Sequence, residues 1–388
     1  MTAATRPRVA LVHSFYGSAV PSGENRAVLD QARALERAGC EIFVVAARTD
    51  DLSRTPLYPL RAAATVATGS GRSPLSELRR LAPDVVHVHN LFPNFGRSWL
   101  RQWPGPLVAT LHNYRPLCAA ATLYRDGTDC TRCPDGDRWA GLRHRCYRGS
   151  RTATLPLAWA RPPGPGRGRT ADPRRPGGGA LPHRAAHLRR CRCARTADGT
   201  GAQFRRRRPR TGPGPGTARG PWGFAGRIGA EKGLLELIHR WPAHEPLEVV
   251  GDGPLRSACE AAAPVSVRFL GTLDHSALRQ RMAGWCGLVF PGRCREGAAP
   301  LVCLEALAAG VPVLARAGTS AAAQTEADGT GAVFGDRDPL PAVLASAAER
   351  FPSLRPHCRR VFTEQYSEQS WTERMLRVYR TAQEARPC

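Results

Sequence analysis

The sequence predicts an α/β protein built from two doubly wound parallel sheets, and three observations predict it. Residues 8–14, RVALVHS, form a short apolar run followed by a glycine-punctuated loop and a helix-period stretch, which is how a doubly wound domain opens. From Trp222 to Gly335 short apolar runs alternate with helix-period segments, the pattern of a second such sheet. Between these halves, residues 161–218 lose every periodicity. The expected organisation is therefore a first domain over 1–160, an aberrant segment over 161–218, a second domain over 219–360 and a terminal helix over 361–388.

Taken in order, the strand at 8–14 leads through Gly17 and Gly23, which let backbone approach a ligand closely, into a helix at 24–38. Val28, Leu29, Ala32 and Leu35 line one face of that helix, and Gly39 stops it. Further strands are expected at 41–47, 84–89 and 106–112. Ligands gather at the carboxyl ends of such strands, so His87, His89 and His112 fall where a cleft would be. His112, followed by Asn113, Tyr114 and Arg115, is the best placed to face a ligand.

Cys118, Cys130, Cys133 and Cys146 follow around one loop. Their number and the C-x-x-C spacing suit a structural tetrahedral zinc; the plain alternative is four reduced thiols. Asp135-Gly136-Asp137 in this loop resembles a metal-nucleotide D-x-D, a weak signal, since Asp336-Arg337-Asp338 repeats it by chance.

The net charge of +24 is unevenly spread. Residues 161–210 carry 15 arginines against 2 aspartates, so 13 of the 24 excess charges lie there. Lys232 is the one lysine of the chain. An Arg-rich arm for nucleic acid or an anionic surface is one reading, but single-strand binders interleave aromatics with charge, and 161–215 holds only Phe204. A linker is the second reading and translation in a shifted frame the third. The third is favoured, because a string encoding 201–209 can yield a strand and turn when read one base later. No run approaches the ~18 apolar residues of a membrane span, and no secretory signal is visible. A cytoplasmic protein is expected, with peripheral contact to an anionic membrane face left open.

In the second half, residues 222–226 read as a strand, with Arg227 and Lys232 on the loop that follows. Two cations at a strand's carboxyl end suit a diphosphate. Strands follow at 247–253, 267–271 and 287–291, with a helix at 275–283 and an edge strand at 331–335. The stretch 296–313, EGAAPLVCLEALAAGVPV, organises this half. Pro300 suits the first turn of a helix, Leu301, Leu304, Leu307 and Ala308 recur at its period, and Gly310 ends it. The free N–H groups of the first turn favour a phosphate. Glu296 on the entering loop and Glu305 on the helix body would suit a nucleotide-sugar, one carboxylate to hold hydroxyls and one to sit by the sugar; the plain alternative is two solvated carboxylates. The tail from 366 reads as an amphipathic helix with Trp371, Met375, Val378 and Tyr379 on one side.

Together these motifs resemble the family-4 retaining glycosyltransferases of the GT-B fold, bacterial polysaccharide type. Four pieces carry the resemblance: Pro21-Ser22-Gly23-Glu24, His112 after its strand, the loop from Gly226 to Gly233, and residues 296–313. It covers roughly 1–160 and 219–382. It implies two Rossmann-like domains facing across a cleft, the second holding a nucleotide-sugar and the first mostly the acceptor. Arg227 and Lys232 would grip the diphosphate with the N–H groups of Leu301 and Val302. Glu305 would hold the ribose, Glu296 and His112 the transferred sugar, and Gly23 and Gly253 the rest of the donor. Eight residues separate Glu296 from Glu305, one more than the family's usual spacing. No metal cofactor is required if the two cations carry the charge. The acceptor would be a saccharide or lipid-linked saccharide. A nucleotide-sugar epimerase of the same fold, or an inactive remnant that binds anionic surfaces, is the alternative.

Overall fold

The computed structural model describes residues 6–18, 22–161, 220–293 and 300–385. They fall into two units. The N-terminal unit takes the described residues up to Leu123, those from Cys130 to 161, and the end of the chain from Thr372; the C-terminal unit takes Tyr124–Asp129 and the rest up to Trp371.

The N-terminal unit is a four-stranded parallel sheet in the order β2-β1-β3-β4, with β1 Arg8–Phe15, β2 Glu41–Arg48, β3 Val85–Asn90 and β4 Leu107–Ala109. Strand β1 is buried along almost its whole length, as a central parallel strand covered on both faces must be. Val12, Val45, Val86, Leu78 and Trp99 make the core on one side of it. The helix Gly23–Arg37 starts where Ser22 Oγ accepts from the N–H of Asn25, and it buries Ala27, Val28, Gln31, Ala32, Ala34 and Leu35. In the terminal helix Glu368–Glu384, Trp371, Met375 and Tyr379 are buried as expected. Leu376 and Ala382 join them, whereas Val378 stays half-exposed.

The C-terminal unit holds a short hairpin, β5 Tyr124–Arg125 and β6 Thr128–Asp129, and a six-stranded parallel sheet. The strands of that sheet are β7 Trp222–Ala225, β8 Leu247–Val250, β9 Val267–Gly271, β10 Leu288–Phe290, β11 Val313–Arg316 and β12 Gly331–Phe334. Their order is β12-β11-β10-β7-β8-β9, so the chain starts mid-sheet, winds out one way over three strands, then returns to wind out the other way. One core, with Trp222, Phe224, Val249, Leu314 and Phe351, lies apart from a second with Trp285, Leu288, Leu304, Val313 and Phe362. Glu248 is buried within β8, and its charge is satisfied by the Arg281 guanidinium and by the Trp285 indole N–H at 2.9 Å. The expected strand at 267–271 and helix at 275–283 form with those bounds.

Candidate functional site

In the C-terminal sheet the winding direction reverses between β7 and β10, so their carboxyl ends open a crevice. The loops that leave them are joined backbone to backbone. The Arg293 N–H donates to the Glu231 carbonyl at 3.1 Å, and a Cβ on Gly233 would collide with the Pro291 carbonyl oxygen. Gly233 also sits at φ 67°, so only glycine fits there without strain. The turn after β8 packs on the same place: the Ile228 N–H donates to the Asp252 carbonyl at 2.8 Å, and a Cβ on Gly251 would strike the Gly226 carbonyl. Gly253 presses against the Ile228 carbonyl in the same way, which gives its lack of a side chain a packing cause.

The two expected cations stand on this glycine frame. Arg227 is largely exposed, and its guanidinium is ion-paired with Glu231 four residues on. Lys232 ends a short 3-10 turn, Ala230–Lys232, and its Nζ lies 5.9 Å from the centre of the Phe290 ring. A residue from the β7 loop thereby reaches the end of β10. The helix Leu301–Ala309 follows β10 and ends at Gly310 in a left-handed cap, as the sequence predicts. Pro300 stands one residue outside it as the N-cap and offers no side-chain cap. Cys303 and Leu304 donate to the Pro300 carbonyl, whereas Leu301 and Val302 donate to no backbone group among the described residues. Glu305 projects from the helix body but is 6% exposed, so it is not a solvated carboxylate; its Oε1 lies 3.6 Å from Nδ1 of His275. Glu296 lies outside the described residues, as do Pro21 and the segment 162–219.

Toward the outer strands, beyond β10, lies an ion-pair ring that sequence reasoning does not find. Arg293 and Arg316 both pair with Glu236 and with Asp336, at 2.6 Å for Arg293 to Glu236 and 3.1 Å for Arg316 to Glu236. Arg316 is buried at the end of β11, and only the pairing makes that tolerable.

In the N-terminal sheet the reversal falls between β1 and β3. Four imidazoles collect on those strands and on the residues just after β4. His89 Nδ1 lies 3.0 Å from Nε2 of His112, and His13 Nε2 lies 3.1 Å from Asn25 Oδ1. His87 departs from its expected place in a cleft. It is wholly buried, and both its nitrogens are taken, Nδ1 by the Tyr379 hydroxyl and Nε2 by Thr110 Oγ1, each at 2.8 Å. Burial pushes all four pKa values down: His13 and His112 to about 4, His87 to about 3 and His89 well below its usual value. The cluster is therefore neutral at physiological pH.

Gly23 opens the helix Gly23–Arg37 and is exposed. Its neighbour Glu24, which sequence reasoning quotes only as part of the motif, is the more unusual group. Asn113 Nδ2 donates to its Oε2 at 3.1 Å, and burial raises its pKa to about 7. Asn90 donates to the Tyr16 hydroxyl at 2.9 Å close by. The register that pairs His13 with Asn90 across β1 and β3 assembles this group, and no local motif announces it.

The four expected cysteine ligands, Cys118, Cys130, Cys133 and Cys146, lie in the N-terminal unit. Among the described residues no three His, Cys, Asp or Glu side chains are gathered so as to hold a metal ion. Cys118 is instead buried in a small apolar cluster with Tyr114 and Leu123, while Cys130, Cys133 and Cys146 stay half-exposed. Arg115 does the bracing. Its guanidinium lies 4.8 Å from the Phe92 ring centre and 5.0 Å from that of Tyr147, and it donates to the Ala119 carbonyl. Asp137 of the D-x-D pairs with Arg143.

Comparison with known proteins agrees with this architecture. Residues 21–153 match the family model described as Glycosyltransferase Family 4, and residues 221–351 the one described as Glycosyl transferases group 1. No curated protein matches by sequence. Among solved structures, sucrose-phosphate synthase from Thermosynechococcus elongatus aligns with TM-score 0.58 and 17% identity over 98% of this chain and 100% of that one. The lipopolysaccharide outer core galactosyltransferase WaaB, in its apo form, aligns with TM-score 0.54 and 12% identity over 96% and 98%. AviGT4, a glycosyltransferase of avilamycin A biosynthesis, aligns with TM-score 0.53 and 17% identity over 98% of both chains. At these identities the structures speak for the fold alone.

Proposed function

We propose that this chain, a GT-B glycosyltransferase by the family of both its halves, moves a sugar from a nucleoside-diphosphate donor to a saccharide or lipid-linked saccharide and keeps the anomeric configuration. One observation carries the donor half of the reading. The loop after β7 carries Arg227 and Lys232 on a glycine frame, and the helix after β10 begins at Leu301 with no side-chain cap among the described residues, both at the strand ends where the winding reverses. Such a place attracts a diphosphate before reaction and a still more negative one during it.

As the bond from the anomeric carbon to the diphosphate breaks, negative charge grows on the departing oxygen. Fixed cations and helix N–H groups stabilise that growth more than they stabilise bound donor, and this difference is what accelerates the step. No metal ion is called for if Arg227 and Lys232 carry the load. Glu305 is assigned to the ribose hydroxyls, Glu296 and His112 to the transferred sugar, and Gly23 and Gly253 to close backbone approach. The N-terminal unit, with its neutral polar groups at β1 and β3, is assigned to the acceptor. No helix among the described residues is long and apolar enough to cross a membrane. A lipid-linked acceptor would bring the enzyme to the inner face of the plasma membrane as a peripheral protein. The segment 161–215 is assigned to a reading-frame shift; sequencing codons 155–220 and finding stops or no periodic pattern in the alternative frame would end that reading.

The test is donor turnover. Purified protein is offered UDP-glucose, UDP-galactose, UDP-N-acetylglucosamine, GDP-mannose and ADP-glucose, and release of nucleoside diphosphate is followed together with the configuration of the product. Turnover of one donor with retention supports the proposal. Failure to bind any of them by calorimetry, with the middle segment repaired, refutes it. An interconverted nucleotide-sugar in place of transfer would mark an epimerase.

A further inference from the structure

Three imidazoles of the N-terminal unit lie in a stack, and the reading above uses only the last of them. His87 and His89 have ring centres 4.2 Å apart, and His89 and His112 have theirs 5.3 Å apart at an interplanar angle of 26°. The foot of the stack is fixed, because both nitrogens of His87 are hydrogen-bonded, one of them to Tyr379 of the terminal helix. The head is not: His112 is only partly buried, and among the described residues its Nδ1 makes no hydrogen bond.

We propose that His89 is a positioning residue for His112, taking up its Nε2 so that Nδ1 is the nitrogen that meets the ligand. The proposal rests on the assignment of His112 to the transferred sugar only for its effect on turnover; the geometry stands without it. His89 Nε2 is buried and has no partner. A buried polar atom in that state costs stability, whereas an apolar side chain of similar shape would cost nothing of the kind. The histidine is therefore not there for stability. What it supplies and an apolar residue could not is Nδ1, 3.0 Å from His112.

The protonation states follow. Burial lowers the pKa of both rings, so each is neutral at pH 7 and carries a single N–H. One ring donates and the other accepts, and two pairs of tautomers would satisfy that. A buried N–H without a partner is the rarer state, so the unpartnered Nε2 of His89 is the bare nitrogen; His89 then donates from Nδ1, and His112 accepts at Nε2 and keeps its proton on Nδ1. The nitrogen it turns outward then has a fixed character, and its ring a fixed plane set by the stack. A sugar contact made by a ring that could flip or exchange tautomer would lose the alignment that proximity effects require.

Side-chain geometry supplies the test. Asparagine can put an amide near the place of Nδ1, whereas glutamine puts it near Nε2, so the two polar variants separate positioning from bulk polarity. Histidine-labelled full-length protein is examined by 15N–1H correlation NMR at pH 7.5, with His112 assigned from His112→Gln. A single His112 tautomer is expected in wild type and His89→Asn, and an averaged mixture in His89→Gln and His89→Leu. On whichever of the five nucleotide-sugars is turned over, kcat should fall about 10- to 100-fold in the Gln and Leu variants. Donor KM should move less than about threefold, and Asn should restore kcat to within about threefold of wild type. An unchanged His112 tautomer in the Gln variant, or equal kcat for Asn and Gln, overturns the proposal. If the tautomers behave as stated but no donor is turned over, the sugar assignment fails and the positioning stands.

Discussion

The two switch-point edges of this protein are made of different material. At β7 and β10 the edge is backbone: Gly226, Gly233, Gly251 and Gly253 pack carbonyl against glycine, and the charges that ride on them, Arg227 above all, remain in water. At β1 and β3 the edge is side chain: His13, His87 and His89 are buried, and His112 and the Glu24 carboxyl are partly so. Under the proposed function the difference follows from charge. A cation meant for a polyanion is held most cheaply at the surface, since burying it costs several kcal/mol. Hydroxyl-bearing ligands are met by neutral polar groups, and those can be buried if they bond to one another.

The sharpest way to break this contrast is to remove a cation. Lys232→Ala should lower donor turnover by about 100- to 1,000-fold, the usual effect of losing one fixed group that stabilises a growing negative charge. Steady-state release of nucleoside diphosphate measures it. Turnover within threefold of wild type would show that the β7 loop does not serve the leaving group.

Acid should separate the edges next. His13, His87 and His112 have folded pKa values depressed to about 4, 3 and 4, and burial shifts His89 the same way, so the contribution of the three is present above pH 6.5 and is lost as pH falls through about 4. Each would cost on the order of 2 kcal/mol by pH 5. Glu24 acts the other way: its pKa is raised to about 7, so its contribution is present below its ordinary 4.5 and lost as pH rises through 7. One carboxyl offsets about one histidine, and the balance favours loss on acidification. Hydrogen exchange of the full chain, corrected for intrinsic rates, should therefore show β1 and β3 losing protection between pH 7.5 and 5 while β7 and β8 hold theirs. Equal loss in both sheets would mean that the imidazoles are not buried neutral.

Much of the C-terminal edge could be read in advance because its parts are local. Gly310 stops a helix whatever surrounds it, and Arg227 and Lys232 stand on a loop whose glycines announce it. The N-terminal edge was less legible. Three of its histidines stood out at strand ends, but His13 reads as one residue of a buried strand and Glu24 as one letter of a loop motif. Only the register of β1 on β3 puts His13 opposite Asn90. Elements without a buried face were also silent. The helix Tyr58–Thr68 buries no residue completely and starts after Leu57 without a side-chain cap, so no capping residue announces it. The helix Leu340–Val361 runs through Pro352 and Pro356, where a sequence rule ends helices, because Leu344, Ala347, Phe351 and Cys358 are buried along it.

The backbone character of the C-terminal edge is tested by one methyl group. At Gly251 φ is 137°, and an added Cβ would run into the Gly226 carbonyl. Gly251→Ala should destabilise the protein by about 2–3 kcal/mol, by strain and by parting the β7 and β8 loops. Denaturant unfolding followed by Trp fluorescence would register it. A cost below about 0.5 kcal/mol would show that the loops tolerate separation and that the glycine frame is incidental.

The smallest expected effect concerns the acid that already occupies Arg227. Glu231 is four residues from it, and in an exposed pair the bond is worth about 0–1 kcal/mol, so it stabilises the fold little. If Arg227 holds the diphosphate as proposed, the Glu231 carboxylate is a like charge competing for the same guanidinium. Glu231→Gln should therefore tighten donor binding, by no more than about fivefold, with the unfolding midpoint nearly unchanged. Calorimetric titration with nucleoside diphosphate at two salt concentrations measures it, and the gain should shrink at the higher one, since screening weakens an exposed competitor first. A loss of affinity would reverse the reading: Glu231 would then be a brace that aims Arg227 at the donor, and the exposed cation would be as positioned a group as the buried imidazoles.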